Sequence, residues 1–145
     1  MNPAEISLVK VRRNDEHAAV LYELLQRRVH PISHRSLPTW REHRDFVLKH
    51  PYRAWYLIKA DEAYVGNIYV LRNNCIGVSA IGDAARYVPP AITAIMKKHR
   101  PLPAIRSVRA GKFDVNLAPG NEELGAILQG MGAKLTQVTY TLDPD

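Results

Sequence analysis

The residues with the most chemical potential in this chain are its histidines, its one cysteine and a long basic run. His30 and His34 are four apart. On a continuous helix that spacing sets two imidazoles on one face, as zinc sites use, but Pro31 interrupts any helix between them. Cys75 is the only cysteine, which excludes an internal disulfide and a cysteine-rich zinc site, so no metal is expected. One histidine of this loop remains a candidate for substrate contact or general-base work, against the plainer reading of a loop histidine. His43 falls on the apolar side of its segment beside Trp40 and Val47 and reads as a packed side chain. Cys75 reads as a small strand residue, with no cation or helix start beside it to activate the thiol. Between Asp83 and Asp114 there is no acidic residue, yet Arg86, Lys97, Lys98, Arg100, Arg106, Arg109 and Lys112 fall there. Such a run attracts a polyanion, either a nucleotide cofactor or a nucleic acid, or else is a solvated basic face.

These residues must be held by a regular framework, and the hydrophobic pattern supplies one. Ile6–Val11 predicts a short strand. Asn14 predicts a helix cap, with Asp15 and Glu16 in the first turn and Val20, Leu21, Leu24 and Leu25 as an apolar stripe. His30–Pro38 reads as a loop, and Thr39 with Glu42 as a capping box opening a second helix to about Lys49. Three strands follow, Ala54–Ile58, Tyr64–Leu71 and Cys75–Ile81, separated by turns at Asp61-Glu62 and Asn73-Asn74. Gly77 inside the third suggests a bulge or a ligand approaching the backbone. Pro89 and Pro90 are expected to open a third helix. Phe113–Leu117 reads as a strand, Asn121 as the cap of a helix ending near Gly130 and Gly132, and the alternating Leu135–Leu142 as a closing strand. The order β-α-α-β-β-β-α-β-α-β implies a mixed sheet covered by helices.

The chain has 145 residues, 46% apolar and 23% charged, so a single domain over 1–145 with its own core is expected. The longest uncharged stretches are ten residues, as in Asn73–Gly82, too short to cross a membrane. The first residues lack an apolar signal core, and a cytoplasmic location is the simplest expectation. Lys and Arg number 20 against 14 Asp and Glu, a formal charge of +6. No phosphate-binding loop, dinucleotide fingerprint, nucleophile elbow, helix-turn-helix or aromatic RNA-binding signature is present.

The segment Ile32–Val47 followed by Pro51–Ile58 resembles bacterial members of the GNAT acyltransferase superfamily. So do Val65–Tyr69 with Ile76–Val78, and Asn116–Asn121 leading to Gly132-Ala133 and Thr139–Leu142. The resemblance covers nearly the whole chain in the right order. It implies an α/β (α+β) fold, with a mixed, mostly antiparallel sheet of six to seven strands flanked by about four helices. It implies an acetyltransferase with acetyl-CoA as cosubstrate and a small-molecule amine as acceptor, some relatives of this type acylating amino sugars. Acetyl-CoA would lie in a V-shaped gap beyond the strand ending near Ile81. The cofactor side would be Ala80, Ile81, Arg86, Tyr87, Val88 and Ala91, with Asn116 and Asn121 as polar contacts. Backbone N–H groups near Val78, Ser79 and Ala80 would stabilise the oxyanion, and His34 would stand on the acceptor side.

Several positions depart from the family pattern. In the stretch Arg86-Tyr87-Val88-Pro89-Pro90-Ala91, Pro89 stands where glycine is expected. Cys75 replaces an acidic residue, Leu128 a tyrosine acid, and Ala133 a phenylalanine. Two prolines in a pyrophosphate loop would remove two N–H donors and weaken CoA binding. The alternative reading is therefore a catalytically degenerate GNAT-fold binding or structural module, and a third is a small basic nucleic-acid-associated protein. The open edge of such a sheet also offers pairing in a homodimer.

Overall fold

The computed structural model describes residues 5–28 and 37–144. Its elements run β1 (Ile6–Lys10), α1 (Asp15–Gln26), α2 (Trp40–Lys49), β2 (Ala54–Ala60), β3 (Ala63–Val70), β4 (Cys75–Ala80), α3 (Ala84–Lys98), β5 (Asp114–Val115) and α4 (Glu122–Gly130). The five strands form one sheet in sequence order, antiparallel from β1 to β4 and parallel between β4 and β5. Trp55, Leu57, Tyr69, Ile76 and Val78 thus share one sheet, as expected. The count is five strands among the described residues, against the six to seven implied by the resemblance.

Local chemistry sets the helix starts. The Asn14 side chain accepts from the His17 N–H and begins α1. Thr39 and Glu42 close the expected capping box on α2. The third helix departs from expectation. It begins at Ala84, so Pro89 and Pro90 stand inside it. Gly82, at φ 78°, turns the chain from β4 directly into the helix. The carbonyls of Ala85 and Arg86, one turn earlier, thereby lose their helical donors.

Alternation divides the core between the two faces of the sheet. On one, Ile58, Ile68, Val70, Ile76 and Val78 meet Val88, Ala91, Ile92 and Ile95 of α3 and Leu124 of α4. On the other, Trp55 and Leu57 meet Ala18, Leu21 and Leu24 of α1 and Val47 of α2. The register aligns Trp55, Tyr69 and Gly77 across three strands. A Cβ on Gly77 would run into the Tyr69 ring. The glycine therefore admits a neighbouring aromatic side chain, rather than the bulge or ligand expected there. The bulge lies in β2, between Ile58 and Lys59. Tyr52 stacks on Tyr69 with centroids 4.3 Å apart and planes 11° from parallel.

After α3 the chain changes character. Residues 99–113 form an irregular basic loop fastened by the fully buried Asn74. The Asn74 amide donates to the carbonyls of Leu102 (2.9 Å) and Ala110 (2.8 Å), and its oxygen accepts from the Leu102 N–H (2.7 Å). Arg109, one of the basic run, donates to the Pro103 and Arg72 carbonyls and so helps hold this loop. The expected closing strand Leu135–Leu142 pairs with no strand among the described residues. Leu135, Val138, Tyr140 and Leu142 are 81%, 65%, 87% and 91% exposed. β5 is only two residues long, so the sheet offers this segment little edge to join.

Candidate active site

The candidate site is made by a parting of strands. β5 pairs with β4 only at Cys75↔Asp114 and Ile76↔Val115, after which the two strands separate. The Ile81 N–H donates to Val65 and the Cys75 carbonyl accepts from Leu71, both toward β3. Because peptide direction alternates along a strand, the N–H groups of Val78 and Ala80 point the other way, into the gap. Two backbone donors thus face a space that no strand fills.

That space is a cavity of about 310 Å³. Its walls are Val78–Gly82 at the end of β4, Ala84 and Val88 of α3, Asn116–Ala118 after β5, and Asn121, Glu123 and Leu124 at the start of α4; Arg27 and Arg28 close one side. Of the expected cofactor-side residues, Ala80, Ile81, Val88, Asn116 and Asn121 line it, as do Val78 and Ser79. Arg86, Tyr87 and Ala91 do not, and Ala91 is wholly buried on the core side of α3. His34 lies outside the described residues.

Gly82 and the start of α3 stand at the mouth of the cavity. The positive end of the helix macrodipole and an exposed Arg86 make this a favourable place for an anion. Pro89 and Pro90 lie in the second turn of the helix, so the prolines take no donors from this end. The local turn does engage some of them: the N–H groups of Ala84, Arg86 and Tyr87 donate to the carbonyls of Gly82 and Asp83.

Polar side chains near the gap are mostly committed. Asn121 accepts from the Leu124 N–H and caps α4. Asn116 donates to the Cys75 sulfur at 3.4 Å. Burial pushes the Cys75 thiol up, the Asp114 charge adds to that, and the Asn116 contact opposes it. The thiol is thereby kept protonated, against a nucleophilic role. Across the α1–α2 face, Trp55 Nε1 donates to Asn67 Oδ1 (3.0 Å), and Asn67 Nδ2 donates to Ser79 Oγ (3.3 Å). This relay holds Ser79 at the end of β4. Burial pushes the Tyr52 phenol well above its usual range, Tyr69 adds to this, and the Arg28 charge opposes it.

Leu128 packs against the core between the sheet, α3 and α4. His43 is buried, its Nε2 at 3.1 Å from the Ala18 carbonyl, beside Tyr22 and Trp40. It is a packing residue, as expected. Among the described residues no three His, Cys, Asp or Glu side chains converge to hold a metal, and no helix is long and apolar enough to cross a membrane. Arg27, Arg28, Asn67 and Asn74 were not marked by sequence. Each stands at an ordinary turn, strand or helix-end position, and only the tertiary fold sets Asn67 and Asn74 against their partners and Arg27 and Arg28 at the cavity.

Solved structures of similar fold include acetyltransferases. AAC(6')-Iy, in complex with the bisubstrate analogue CoA-S-monomethyl-acetylneamine, superposes with a TM-score of 0.58, at 11% identity and 99% coverage of both chains. The fold is that of the GNAT acetyltransferases. Ribosomal-protein-alanine N-acetyltransferase from Brucella melitensis biovar Abortus 2308 follows at TM-score 0.56 and 11% identity, covering 98% of this chain and 99% of its own. An aminoglycoside acetyltransferase from an uncultured soil metagenomic sample, meta-AAC0020 with sisomicin, gives 0.51 at 10% identity, covering 95% and 97%. No family model matches the sequence, and no curated protein is significantly similar to it. At such identities the GNAT likeness is one of fold.

Proposed function

We propose that the protein moves an acetyl group from acetyl-CoA to a small-molecule amine. The observation that carries this reading is the gap between β4 and β5, with the N–H groups of Val78 and Ala80 facing an unfilled cavity. An extended pantetheine arm has the shape and the carbonyls to take the place of a missing strand there. Its pyrophosphate would meet the start of α3 and Arg86. The Val78 N–H would stabilise the oxyanion that forms when a neutral amine attacks the thioester carbonyl. The C–N bond forms, the C–S bond breaks, and the amine proton leaves with the CoA thiol.

With Leu128 at the family's usual acid position, the reading gives catalysis mainly to positioning and backbone polarisation. The rate should therefore rise with pH as the acceptor amine loses its proton. Two AAC(6')-Iy structures of the same fold are complexes with CoA or a CoA-based bisubstrate analogue, which adds support. His34 is proposed as an acceptor-side residue and a cytoplasmic setting as its environment.

The test is calorimetric titration with acetyl-CoA, followed by thiol release with a panel of amines. Wild type should bind one equivalent, and Ala118→Phe, which fills the cavity, should abolish binding while the fold is retained. Wild type without measurable binding would favour the non-catalytic module.

A further inference from the structure

The cavity carries a charge signature. Its charged lining residues are Arg27, Arg28 and Glu123. Glu123 belongs to the first turn of α4, on the side of Asn121 and Leu124. The two arginines come from the other side, at the end of α1, where the Arg27 and Arg28 N–H groups donate back to carbonyls of the last helical turn. Among the described residues neither guanidinium has a carboxylate within 4.0 Å, since the ion pairs present join Arg44 to Asp15 and Asp45. Residues 29–36, which follow directly in sequence, contain no Asp or Glu. The Arg28 Nε is buried without a hydrogen-bond partner among the described residues. Such a donor is costly unless something accepts from it.

The helix end alone accounts for part of this, because cations are favoured at a C-terminus. It does not account for a buried guanidinium nitrogen that has no partner among the described residues and stands at a cavity wall. We infer that Arg27 and Arg28 receive an anionic group, carboxylate or phosphate, carried by the acceptor amine itself. This rests on the acetyl-transfer reading and narrows its substrate class.

The anion could instead be a phosphate of the cofactor, and the geometry favours the acceptor. Arg27 and Arg28 follow directly on α1, which packs with Tyr52 and Tyr69 on the α1–α2 face of the sheet. The start of α3, where a pyrophosphate would sit, belongs to the opposite face. Two guanidiniums would also repel a polycation such as an aminoglycoside, so the acceptor differs in charge from the sisomicin bound by the soil acetyltransferase.

The test uses matched twins: glucosamine 6-phosphate against glucosamine, and a dipeptide against its C-terminal amide, with sisomicin as the polycation. Wild type should show kcat/KM at least about tenfold higher for an anionic twin, the scale of one charge-assisted hydrogen bond. Arg28→Gln should remove that preference and leave the Kd for acetyl-CoA within about twofold. Equal kcat/KM within each pair, or a preference for sisomicin, overturns the inference. So does an Arg28→Gln loss that falls equally on acetyl-CoA, which would assign the guanidinium to the cofactor. If wild type fails to bind acetyl-CoA, the acetyl-transfer reading is what has failed. Direct titration of the twins then decides the anion site: tighter binding of an anionic twin, lost in Arg28→Gln, upholds it, and no difference between twins overturns it.

Discussion

Tyr64–Leu71 and Leu135–Leu142 carry similar alternating, β-favouring sequences and meet opposite fates. The first becomes the core of β3, paired with β2 on one side and β4 on the other, with Ile68 and Val70 fully buried. The second pairs with nothing among the described residues and leaves Tyr140 and Leu142 almost wholly exposed. Alternation thus states that a segment can be a strand; a free edge of sufficient length decides whether it is one. The same parting of neighbours that leaves the last segment unpaired also opens the gap beside β4. The region where the sheet stops being complete is the region with a candidate site.

This contrast can be broken by mutation. Ile68→Ala should cost about 2–5 kcal/mol, as a buried truncation between two strands does, while Tyr140→Ala should stay within about 0.5 kcal/mol. Denaturant unfolding checks both, and a comparable loss from Tyr140→Ala would mean that the last segment is covered in solution. Asn74→Ala should cost about 2–4 kcal/mol, because three hydrogen bonds to the loop are lost. It also places alanine at φ 70°, so Asn74→Gly, which loses the same hydrogen bonds but tolerates that φ, should be less damaging than Asn74→Ala. Gly77→Ala should cost about 1–3 kcal/mol by driving the Tyr69 ring aside, and Tyr69→Ala in the same chain should recover part of it, measurable as a double-mutant cycle.

A smaller effect should appear with pH. Burial lowers the His43 pKa, opposed by the Ala18 carbonyl, and burial with Arg13 lowers that of His50. A depressed folded pKa means that the unfolded chain binds the extra proton first. Stability is therefore full above about pH 6.5 and falls as pH drops below it toward the folded values. The melting temperature should be lower at pH 5 than at pH 7.5, and His43→Gln should shrink the difference. The smallest effect expected is from deleting residues 135–145, which should shift the melting temperature little at low protein concentration. A large shift that depends on concentration would show a second copy covering the segment.

Much of the framework was legible in the sequence. The Thr39–Glu42 box, the Asn14 and Asn121 caps and the β2–β4 meander each rest on local rules that the tertiary structure did not override. The start of α3 was misplaced because proline favours a first helical turn, whereas here Gly82 turns the chain earlier and α3 carries Pro89 and Pro90 within it. Val78, Ser79, Ala80, Asn116 and Asn121, expected near the site from the family resemblance alone, line the cavity. Arg27 and Arg28 were not readable, because nothing in a helix end reveals what faces it across a sheet.

The most direct measurement is an NMR titration of the backbone-assigned protein with acetyl-CoA. Binding in the gap predicts the largest amide shifts at Val78 and Ala80, next at Gly82–Arg86, with the basic loop at 99–113 nearly unmoved. No shifts at saturating cofactor, or shifts confined to the basic loop, would contradict cofactor binding between β4 and β5.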